Sequence, residues 1–156
     1  MPTYETTRAV PFSAEQMFAV VADVERYPEF VPLCEALNVR TREQQGDETV
    51  LIATMSVGYR AIREAFTSRV VLRPGKKEIG VTYLDGPFSH MNNRWSFRDT
   101  PTGSEVHFYI DYAFASRMLA LVMGAVFDKA VRKYGEAFEE RARVLYGAPV
   151  RRPAAT

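Results

Sequence analysis

The longest predicted helix begins with Ser116-Arg117-Met118-Leu119-Ala120-Leu121-Val122-Met123-Gly124-Ala125-Val126-Phe127 and continues to about residue 145. No proline interrupts this segment, and Leu, Met, Ala, Glu, Lys and Arg dominate it, so a helix is the expected state. At about 1.5 Å per residue, such a helix is roughly 45 Å long, which is enough to cross a small domain. The other elements of the chain are therefore expected to pack against it.

The two halves of this helix differ in character. Residues 118–127 carry no charge, whereas charged residues are frequent from Asp128 onward. In the second half the apolar residues recur every three or four positions, as in an amphipathic helix on a core: Val131, Tyr134, Phe138, Ala142 and Leu145. The first half has more apolar surface than one core face needs. A second core layer, a bound apolar ligand, another chain or a membrane surface would cover it.

Composition limits the possible classes of protein. The chain has 156 residues, of which 47% are hydrophobic and 25% charged, as expected for one globular domain with its own core. We predict one domain over residues 1–147 and a flexible tail over residues 148–156. The net charge of +1 gives no global electrostatic reason for binding DNA or an anionic membrane. The basic residues near the end, Arg141, Arg143, Arg151 and Arg152, are interpreted as a solvated helix end and tail.

The single cysteine and the N-terminal sequence indicate a cellular compartment. Cys34 has no cysteine partner within the chain, which is typical of a reducing environment. The first five residues have neither the basic lead nor the apolar core of a signal peptide. No apolar run reaches the ~18 residues of a membrane-spanning helix. These features predict a cytosolic protein.

The order of the predicted elements indicates an α+β fold. A strand at Thr3–Val10 is followed by a helix that Ser13 and Gln16 open as a capping box, and then by a short helix or turn over residues 27–32. About six strands joined by short turns come next, and alternation is clearest around Val106 and Phe108. We expect a curved antiparallel sheet of about six or seven strands wrapped around the long C-terminal helix.

A catalytic or metal site is not apparent from the sequence. His90 and His107 are the only histidines, and neither has a close partner at metal-site spacing. Cys34 is interpreted as a small core residue, because no helix start or adjacent histidine would activate it. The turn at Gly86 precedes a proline and is no phosphate-binding loop. We therefore predict no metal, no catalytic residue and a protein that is not an enzyme.

Two polar residues fall in the inward apolar register of their strands. Glu64 lies between Ile62 and Phe66, and Asn93 lies between Met91 and Trp95. Glu64 is either a strand-end residue that reaches solvent or an arginine, or a polar anchor at one end of an apolar cavity. General acid or base catalysis would require a second inward titratable group, which the sequence does not show.

Apolar side chains converge on the same region from several elements. They form either a solid core or the wall of a cavity that the sheet and one helix leave between them, and methionines suit an irregular apolar ligand. With the two polar residues, the predicted wall comprises Tyr27, Phe30, Glu64, Phe66, Tyr83, Asn93, Trp95, Phe97, Phe108, Tyr112, Val122, Met123, Val126 and Phe127.

Several motifs in order resemble a known family. Asp23-Val24-Glu25-Arg26-Tyr27-Pro28-Glu29-Phe30-Val31-Pro32-Leu33-Cys34 is similar to the signature of the coenzyme Q-binding family of START-like proteins, within the polyketide cyclase/dehydrase superfamily. That family includes bacterial proteins called ribosome association toxins. The resemblance continues through Phe66-Thr67-Ser68-Arg69-Val70, Tyr83-Leu84-Asp85-Gly86-Pro87-Phe88, Trp95-Ser96-Phe97 and Ala137-Phe138-Glu139-Glu140-Arg141-Ala142. The sequence differs from the family pattern at Leu33, where the family often has Trp.

The resemblance implies a helix-grip fold with an apolar tunnel between the sheet and the long helix. It implies no cofactor, but a bound ubiquinone or related isoprenoid quinone, held by a carrier or chaperone that supports respiration. A cytosolic carrier must also meet the membrane, and Val31, Met118, Leu119 and Leu121, with Phe30 nearby, are the predicted docking lip. The alternatives are a protein that interferes with ribosomal subunit association, and a cyclase- or aromatase-like enzyme that uses Glu64 or Asn93.

Overall fold

A seven-stranded antiparallel sheet forms the body of the protein. The structure is a computed structural model, and it describes residues 3–147. The strands are β1 (Thr3–Val10), β2 (Cys34–Gln45), β3 (Glu48–Tyr59), β4 (Ile62–Arg73), β5 (Glu78–Asp85), β6 (Phe88–Thr100) and β7 (Gly103–Phe114). Their order in the sheet is β1-β7-β6-β5-β4-β3-β2, so β1 and β2 are the two edges.

Helices cover one face of this sheet. They are α1 (Ala14–Ala22), a 3₁₀ helix (Val24–Glu29), α2 (Arg117–Arg132) and α3 (Tyr134–Tyr146). The predicted helix-grip architecture is confirmed. The predicted tail over residues 148–156, with Arg151 and Arg152, lies outside the described residues. Within residues 3–147, none of the helices combines the length and the apolar character needed to span a bilayer.

The sequence signals for strands and turns have direct counterparts in the sheet. Along β7 the residues Val106, Phe108, Ile110 and Tyr112 are buried, while the residues between them are partly exposed. The β2–β3 turn contains Gly46 at φ +67°, a backbone angle that glycine adopts without steric cost. Short turns join each consecutive pair of strands from β2 to β7 in an antiparallel arrangement, and β1 pairs antiparallel with β7.

The predicted capping box of α1 is present. The Ser13 hydroxyl accepts a hydrogen bond from the Gln16 backbone N–H at 3.0 Å, and the Gln16 side-chain oxygen accepts one from the Ser13 N–H at 3.0 Å. The next backbone N–H, from Ala14, donates to the Asp99 carboxylate at 2.9 Å. Three N–H groups that the helix itself cannot pair are therefore satisfied, and Asp99 ties the helix to the end of β6.

The long C-terminal helix is interrupted once, which differs from the continuous helix that the sequence predicts. Lys133 separates α2 from α3, and its N–H donates to the Ala130 carbonyl at 3.0 Å. Gly135 lies just beyond the interruption, and a β-carbon there would come within 3.3 Å of the Arg8 side chain on β1. Glycine has a low helix propensity, which weakens the helix next to the break, and the absence of a side chain at Gly135 lets α3 approach β1 closely.

The interpretation of Arg141 as a solvated residue is wrong. Its side chain is 15% exposed, and it pairs with Glu29 at 3.1 Å. The guanidinium carbon also lies 5.1 Å from the centre of the Phe30 ring. Arg141 therefore joins α3 to the end of the 3₁₀ helix, and the packing of its guanidinium group over the Phe30 ring helps to keep it from solvent.

Gly103 and Gly124 give a matched test of how closely the start of β7 packs against the end of β1. A β-carbon at Gly103 would lie 2.0 Å from the Val10 carbonyl oxygen, whereas at Gly124 in α2 it would meet nothing within 4 Å. We expect Gly103→Ala to lower the free energy of unfolding by about 3 kcal/mol, because the start of β7 must move away from β1. Gly124→Ala should raise it by about 0.5–1 kcal/mol through helix propensity. Urea denaturation measures both, and a Gly103→Ala protein as stable as the wild type would contradict the close approach.

Candidate ligand cavity

An apolar cavity lies between the concave face of the sheet and the helices. Its volume is about 90 Å³. If one water needs about 10–15 Å³ on this scale, the cavity has room for roughly six to nine water-sized groups. This is the size of one substituted ring and not of a long chain.

Alternate residues of six strands form the sheet side of the wall. Side chains at every second position of a strand face the same way, and here the concave face receives both large and small residues. The strand residues on the wall are Leu37, Ala53, Met55, Phe66, Ser68, Val70, Ile79, Val81, Met91, Asn93, Trp95 and Ile110.

The helices and the segment after the 3₁₀ helix close the other side. The wall residues there are Val24, Tyr27, Val31, Phe127, Tyr134 and Phe138. The Tyr27 hydroxyl donates to the Val21 carbonyl at 2.5 Å, which ties the 3₁₀ helix to the end of α1. The backbone N–H of Val31 donates to the Tyr27 carbonyl at 2.8 Å, so the segment that follows is fixed as well.

Leu33, where the sequence departs from the family pattern, is not among the wall residues. It adopts φ +69°, and its carbonyl accepts a hydrogen bond from the Gly58 N–H at 3.0 Å. The difference from the family pattern at Leu33 therefore affects the backbone just before β2 and not the surface that faces the cavity.

Five residues of the predicted wall are brought together on it. They are Tyr27, Phe66, Asn93, Trp95 and Phe127. Val31, which the sequence places on the docking lip, is buried and also faces the cavity. Contact of these residues with a ligand stays a prediction.

Other predicted wall residues are buried but covered by neighbouring rings. Phe97 packs on Phe18 of α1, with ring centres 5.8 Å apart. The Phe108 ring contacts Tyr134 of α3, with ring centres 6.1 Å apart, and the Tyr112 ring contacts Phe127 of α2, with ring centres 4.9 Å apart. Strand alternation correctly gives their inward direction, but the residue packed over each one keeps it from the cavity.

Three further predicted wall residues pack against the core without reaching the cavity. Phe30 stacks edge to face on Phe138, with ring centres 5.2 Å apart. The Tyr83 hydroxyl accepts a hydrogen bond from the Phe88 N–H at 3.0 Å, and this ring also lies off the wall. Met123 is buried one helical turn before Phe127 without reaching the cavity.

The predicted places of Val122 and Val126 on the cavity wall are wrong, because α2 is rotated so that other residues face inward. Met123, Phe127, Ala130 and Val131 form the inward stripe of this helix. Val122 is therefore 49% exposed, and Val126 is only half-buried. Residues 118–127 carry no charge that would have fixed which face of the helix is inward.

Glu64 lies near the start of β4 and off the cavity wall. It is half-buried and opposite Val57 of β3. The neighbouring Arg63 pairs with Glu35 at 2.9 Å. Of the two interpretations, the strand-end position agrees with the structure, whereas the polar anchor does not.

The predicted lip residues of α2 are mostly exposed. Met118 is 73% exposed and Leu121 is 86% exposed, whereas Leu119 is half-buried. The side chains of Met118, Leu121 and Val122 form an apolar surface at the start of the helix, which we call the α2 outer patch. Leu119 and Val31 are not part of this patch.

The titratable groups around the cavity are neutral at physiological pH. Burial raises the pKa values of the Tyr27 and Tyr134 hydroxyls far above the usual value of a tyrosine. Burial raises the pKa of Tyr112 to about 12 and that of the Cys34 thiol to about 11. The Cys34 thiol, 3.7 Å from the Ala36 carbonyl, is therefore protonated and unreactive at neutral pH.

Polar groups on the wall are few, and none of the wall residues is charged. Asn93 donates from its side-chain nitrogen to the Tyr109 carbonyl at 2.9 Å and accepts from the Trp95 indole at 3.1 Å. Ser68 was missed by the sequence reasoning, although the alternation that singles out Glu64 also places Ser68 inward, two positions after Phe66. Tyr134 and Phe138 were identified as a core stripe but not as wall residues.

Histidines and acids do not converge into a metal site in the part of the chain that the structure describes. The His90 side chain lies 3.4 Å from the Asp111 carboxylate. The His107 side chain lies 2.7 Å from that of Glu5. Each histidine thus has a single acidic neighbour at the surface of the sheet, away from the cavity wall.

Comparison with known families and curated proteins gives a consistent result. Residues 10–139 match the model of the family described as polyketide cyclase/dehydrase and lipid transport. The chain is 34% identical to ribosome association toxin RatA of Vibrio cholerae over 139 residues, which cover 88% of this chain and 93% of the relative. It is 32% identical to the mitochondrial coenzyme Q-binding protein COQ10 of Dictyostelium discoideum, covering 94% of this chain and 71% of that protein.

Solved structures show the same architecture. The solution structure of the 18 kDa protein CC1736 from Caulobacter crescentus matches with a TM-score of 0.77 and 34% identity, over 95% of this chain and 100% of that one. The Zhui aromatase/cyclase from Streptomyces shares the fold, with a TM-score of 0.74 and 20% identity, over 92% of this chain and 95% of that one. The chain therefore belongs to the START-like polyketide cyclase/dehydrase and lipid transport family.

Proposed function

We propose that this protein binds an isoprenoid quinone, with ubiquinone as the first candidate, and acts as a carrier or chaperone that supports respiration. The observation that carries the proposal is an apolar cavity whose wall contains no charged residue. Such a wall favours a neutral, largely hydrophobic ligand, because a charge moved into it would lose its hydration without gaining a partner. The lipid transport family and the COQ10 relative support the same ligand class.

The size of the cavity suggests how such a ligand binds. A volume of about 90 Å³ suits the ring of a quinone but not a long isoprenoid tail. The tail then lies outside the cavity or widens it. Met55 and Met91 on the wall favour such adaptation, because the flexible methionine side chain adjusts to irregular ligands.

Binding without catalysis agrees with the groups that reach the cavity. The wall residues with polar atoms are Tyr27, Ser68, Asn93, Trp95 and Tyr134. The Asn93 side chain is occupied by two hydrogen bonds, and burial raises the pKa of Tyr27 and Tyr134. A cyclase-like reaction that needs a carboxylate has no wall residue to supply it.

We further propose that the α2 outer patch contacts the membrane from which the ligand is taken. Met118, Leu121 and Val122 present neighbouring apolar side chains at the start of α2, where Arg117 is also exposed. A patch of this kind can insert at the boundary of head groups and acyl chains without spanning the bilayer. The proposed carrier works in the cytosol and makes peripheral contact with the membrane.

Ribosome association is the second candidate function. Relatives in Vibrio cholerae and Escherichia coli named ribosome association toxin RatA are 34% and 32% identical and match 88% and 95% of this chain. We expect the protein to sediment apart from ribosomal subunits in a sucrose gradient, because quinone binding requires no ribosomal contact. Comigration with one subunit, together with a failure to take up quinone, would favour this second function.

The single tryptophan of the chain gives a direct test of quinone binding. Trp95 lies on the cavity wall, so a bound quinone should quench its fluorescence. Ala53 is a buried wall residue, and Ala65 is an exposed residue of the adjacent strand. We expect Ala53→Leu to weaken the binding of a ubiquinone with a ten-carbon tail at least about tenfold, by filling the cavity, and Ala65→Leu to leave it unchanged.

Circular dichroism and thermal unfolding should show both leucine variants to be folded. Quinone extracted from the wild-type protein after purification from a respiring host, and absent from Ala53→Leu, would support the same conclusion. Equal quenching in a folded Ala53→Leu protein would place the quinone elsewhere and reject the cavity as its site.

The α2 outer patch can be tested separately from the cavity. Leu121→Glu should reduce sedimentation with phosphatidylcholine vesicles about tenfold, because an apolar side chain that enters the interface becomes charged. Val144→Glu is the matched control, since Val144 is also an exposed apolar residue but lies on α3. Both variants should bind the quinone in solution as the wild type does. Equal loss of vesicle binding in the two variants would mean that the patch has no special role.

A further inference from the structure

The Ser68 hydroxyl is an unpaired polar group in an otherwise apolar part of the wall. The residue is 5% exposed, and its oxygen has no hydrogen-bond partner among residues 3–147. Its neighbours at the next inward positions of β4 are Phe66 and Val70. Across the sheet it faces Ala53 on β3 and Tyr83 on β5. An unpaired buried hydroxyl costs stability, and an alanine of nearly the same shape would avoid that cost.

Three of the four other polar side chains on the wall already use at least part of their hydrogen-bonding capacity. The Tyr27 hydroxyl donates to the Val21 carbonyl, and the Trp95 indole donates to Asn93. Asn93 uses one of its two N–H groups and one of its two lone pairs, so one of each remains. The Tyr134 hydroxyl also has no hydrogen-bond partner among the described residues, but Ser68 is the wall residue whose unpaired side-chain oxygen is completely buried.

A trapped water molecule is a poor partner for this hydroxyl. A buried water is held by about two to four hydrogen bonds, and the neighbours of Ser68 on its own strand are Phe66 and Val70. A ligand with an oxygen on an apolar ring needs only the one hydrogen bond, since the rest of it contacts apolar side chains. An oxygen on an apolar ring is therefore a better match to the apolar neighbours of Ser68 than a water molecule is.

Sheet register places Ser68 and Asn93 on different sides of the cavity. Asn93 pairs with Val81, and Val81 pairs with Val70, which is the next inward residue after Ser68. The two residues are thus two strands and one inward position apart, or about 12 Å between α-carbons. Their side chains both face the cavity, so a ring with oxygen atoms on opposite sides can use both.

Building on the lipid-binding function proposed above, we propose that Ser68 selects the ligand by donating a hydrogen bond to a neutral carbonyl or ether oxygen on its ring. Asn93 provides the second polar contact. A fatty acid or phospholipid head group is excluded from this position, because no wall residue carries a positive charge to pair with it. Ser68 is in this sense a specificity-determining residue of the cavity.

The experiment compares the wild type with Ser68→Ala, and uses Ser56→Ala as the matched control. Ser56 lies on β3 at a position that alternation directs to the opposite face of the sheet. Three probes are titrated by calorimetry: a ubiquinone with a ten-carbon tail, decylbenzene, which lacks the ring oxygens, and dodecanoate, which is anionic.

We expect Ser68→Ala to weaken quinone binding about tenfold and to leave decylbenzene binding unchanged. Dodecanoate should bind the wild type at least about tenfold more weakly than the quinone does. Without ligand, Ser68→Ala should melt at the same temperature as the wild type or higher, because the unpaired hydroxyl is removed. A hydroxyl with a purely structural role would produce the opposite shift.

Two results would overturn the role of Ser68 and leave the lipid-binding function standing. One is a quinone affinity of Ser68→Ala equal to that of the wild type, and the other is a lower melting temperature of this variant without ligand. Dodecanoate binding as tight as quinone binding would overturn the neutrality requirement. A wild-type protein that binds none of the three probes would reject the lipid-binding function and this role together, so the two failures can be told apart.

Discussion

The Phe138 ring joins the three layers of this protein. Its centre lies 5.0 Å from Trp95 of the sheet, 5.3 Å from Tyr27 of the 3₁₀ helix and 5.2 Å from Phe30, in edge-to-face arrangements. Contacts of this kind favour fixed orientations as well as buried area, because the positive edge of one ring meets the negative face of another. α3, the 3₁₀ helix and β6 are thereby held at fixed separations. The cavity is the space that these separations leave.

That space exists because a curved sheet and two helices do not have complementary surfaces at every point. At one end of the concave face, Phe108 and Tyr112 are covered by helix residues and by other rings, so the core there is filled. In the middle, Ala53 and Ser68 stand opposite each other on β3 and β4 and leave room that no helix side chain enters. A gap bounded by rigid aromatic contacts does not collapse easily, which is why it can serve as a binding site.

The sequence predicts the sheet well because each of its signals is local. Alternation along β7, the capping box of Ser13 and Gln16, and the glycine and proline turns each depend on a few neighbouring residues. The wall of the cavity is harder to predict, because it depends on which residue of a helix lies over which residue of the sheet. In residues 118–127 no charge marks the outer face, so Val122 and Met123 are equally plausible inward residues, and only packing distinguishes them. Val31 is misplaced for the same reason, since both it and Phe30 are apolar and the segment has no regular period.

β2 forms one edge of the sheet and is twelve residues long, and its outer half is exposed. A long exposed edge offers unpaired backbone groups to any other extended chain and is a risk for aggregation. Two irregularities in its register with β3, between Cys34 and Ala36 and between Val39 and Thr41, interrupt the regular hydrogen-bonding pattern. The exposed half also carries Arg40, Arg42 and Glu43. Bulges and charges together make this edge a poor template for another strand, so the protein can keep an open sheet around its cavity without joining sheets with its neighbours.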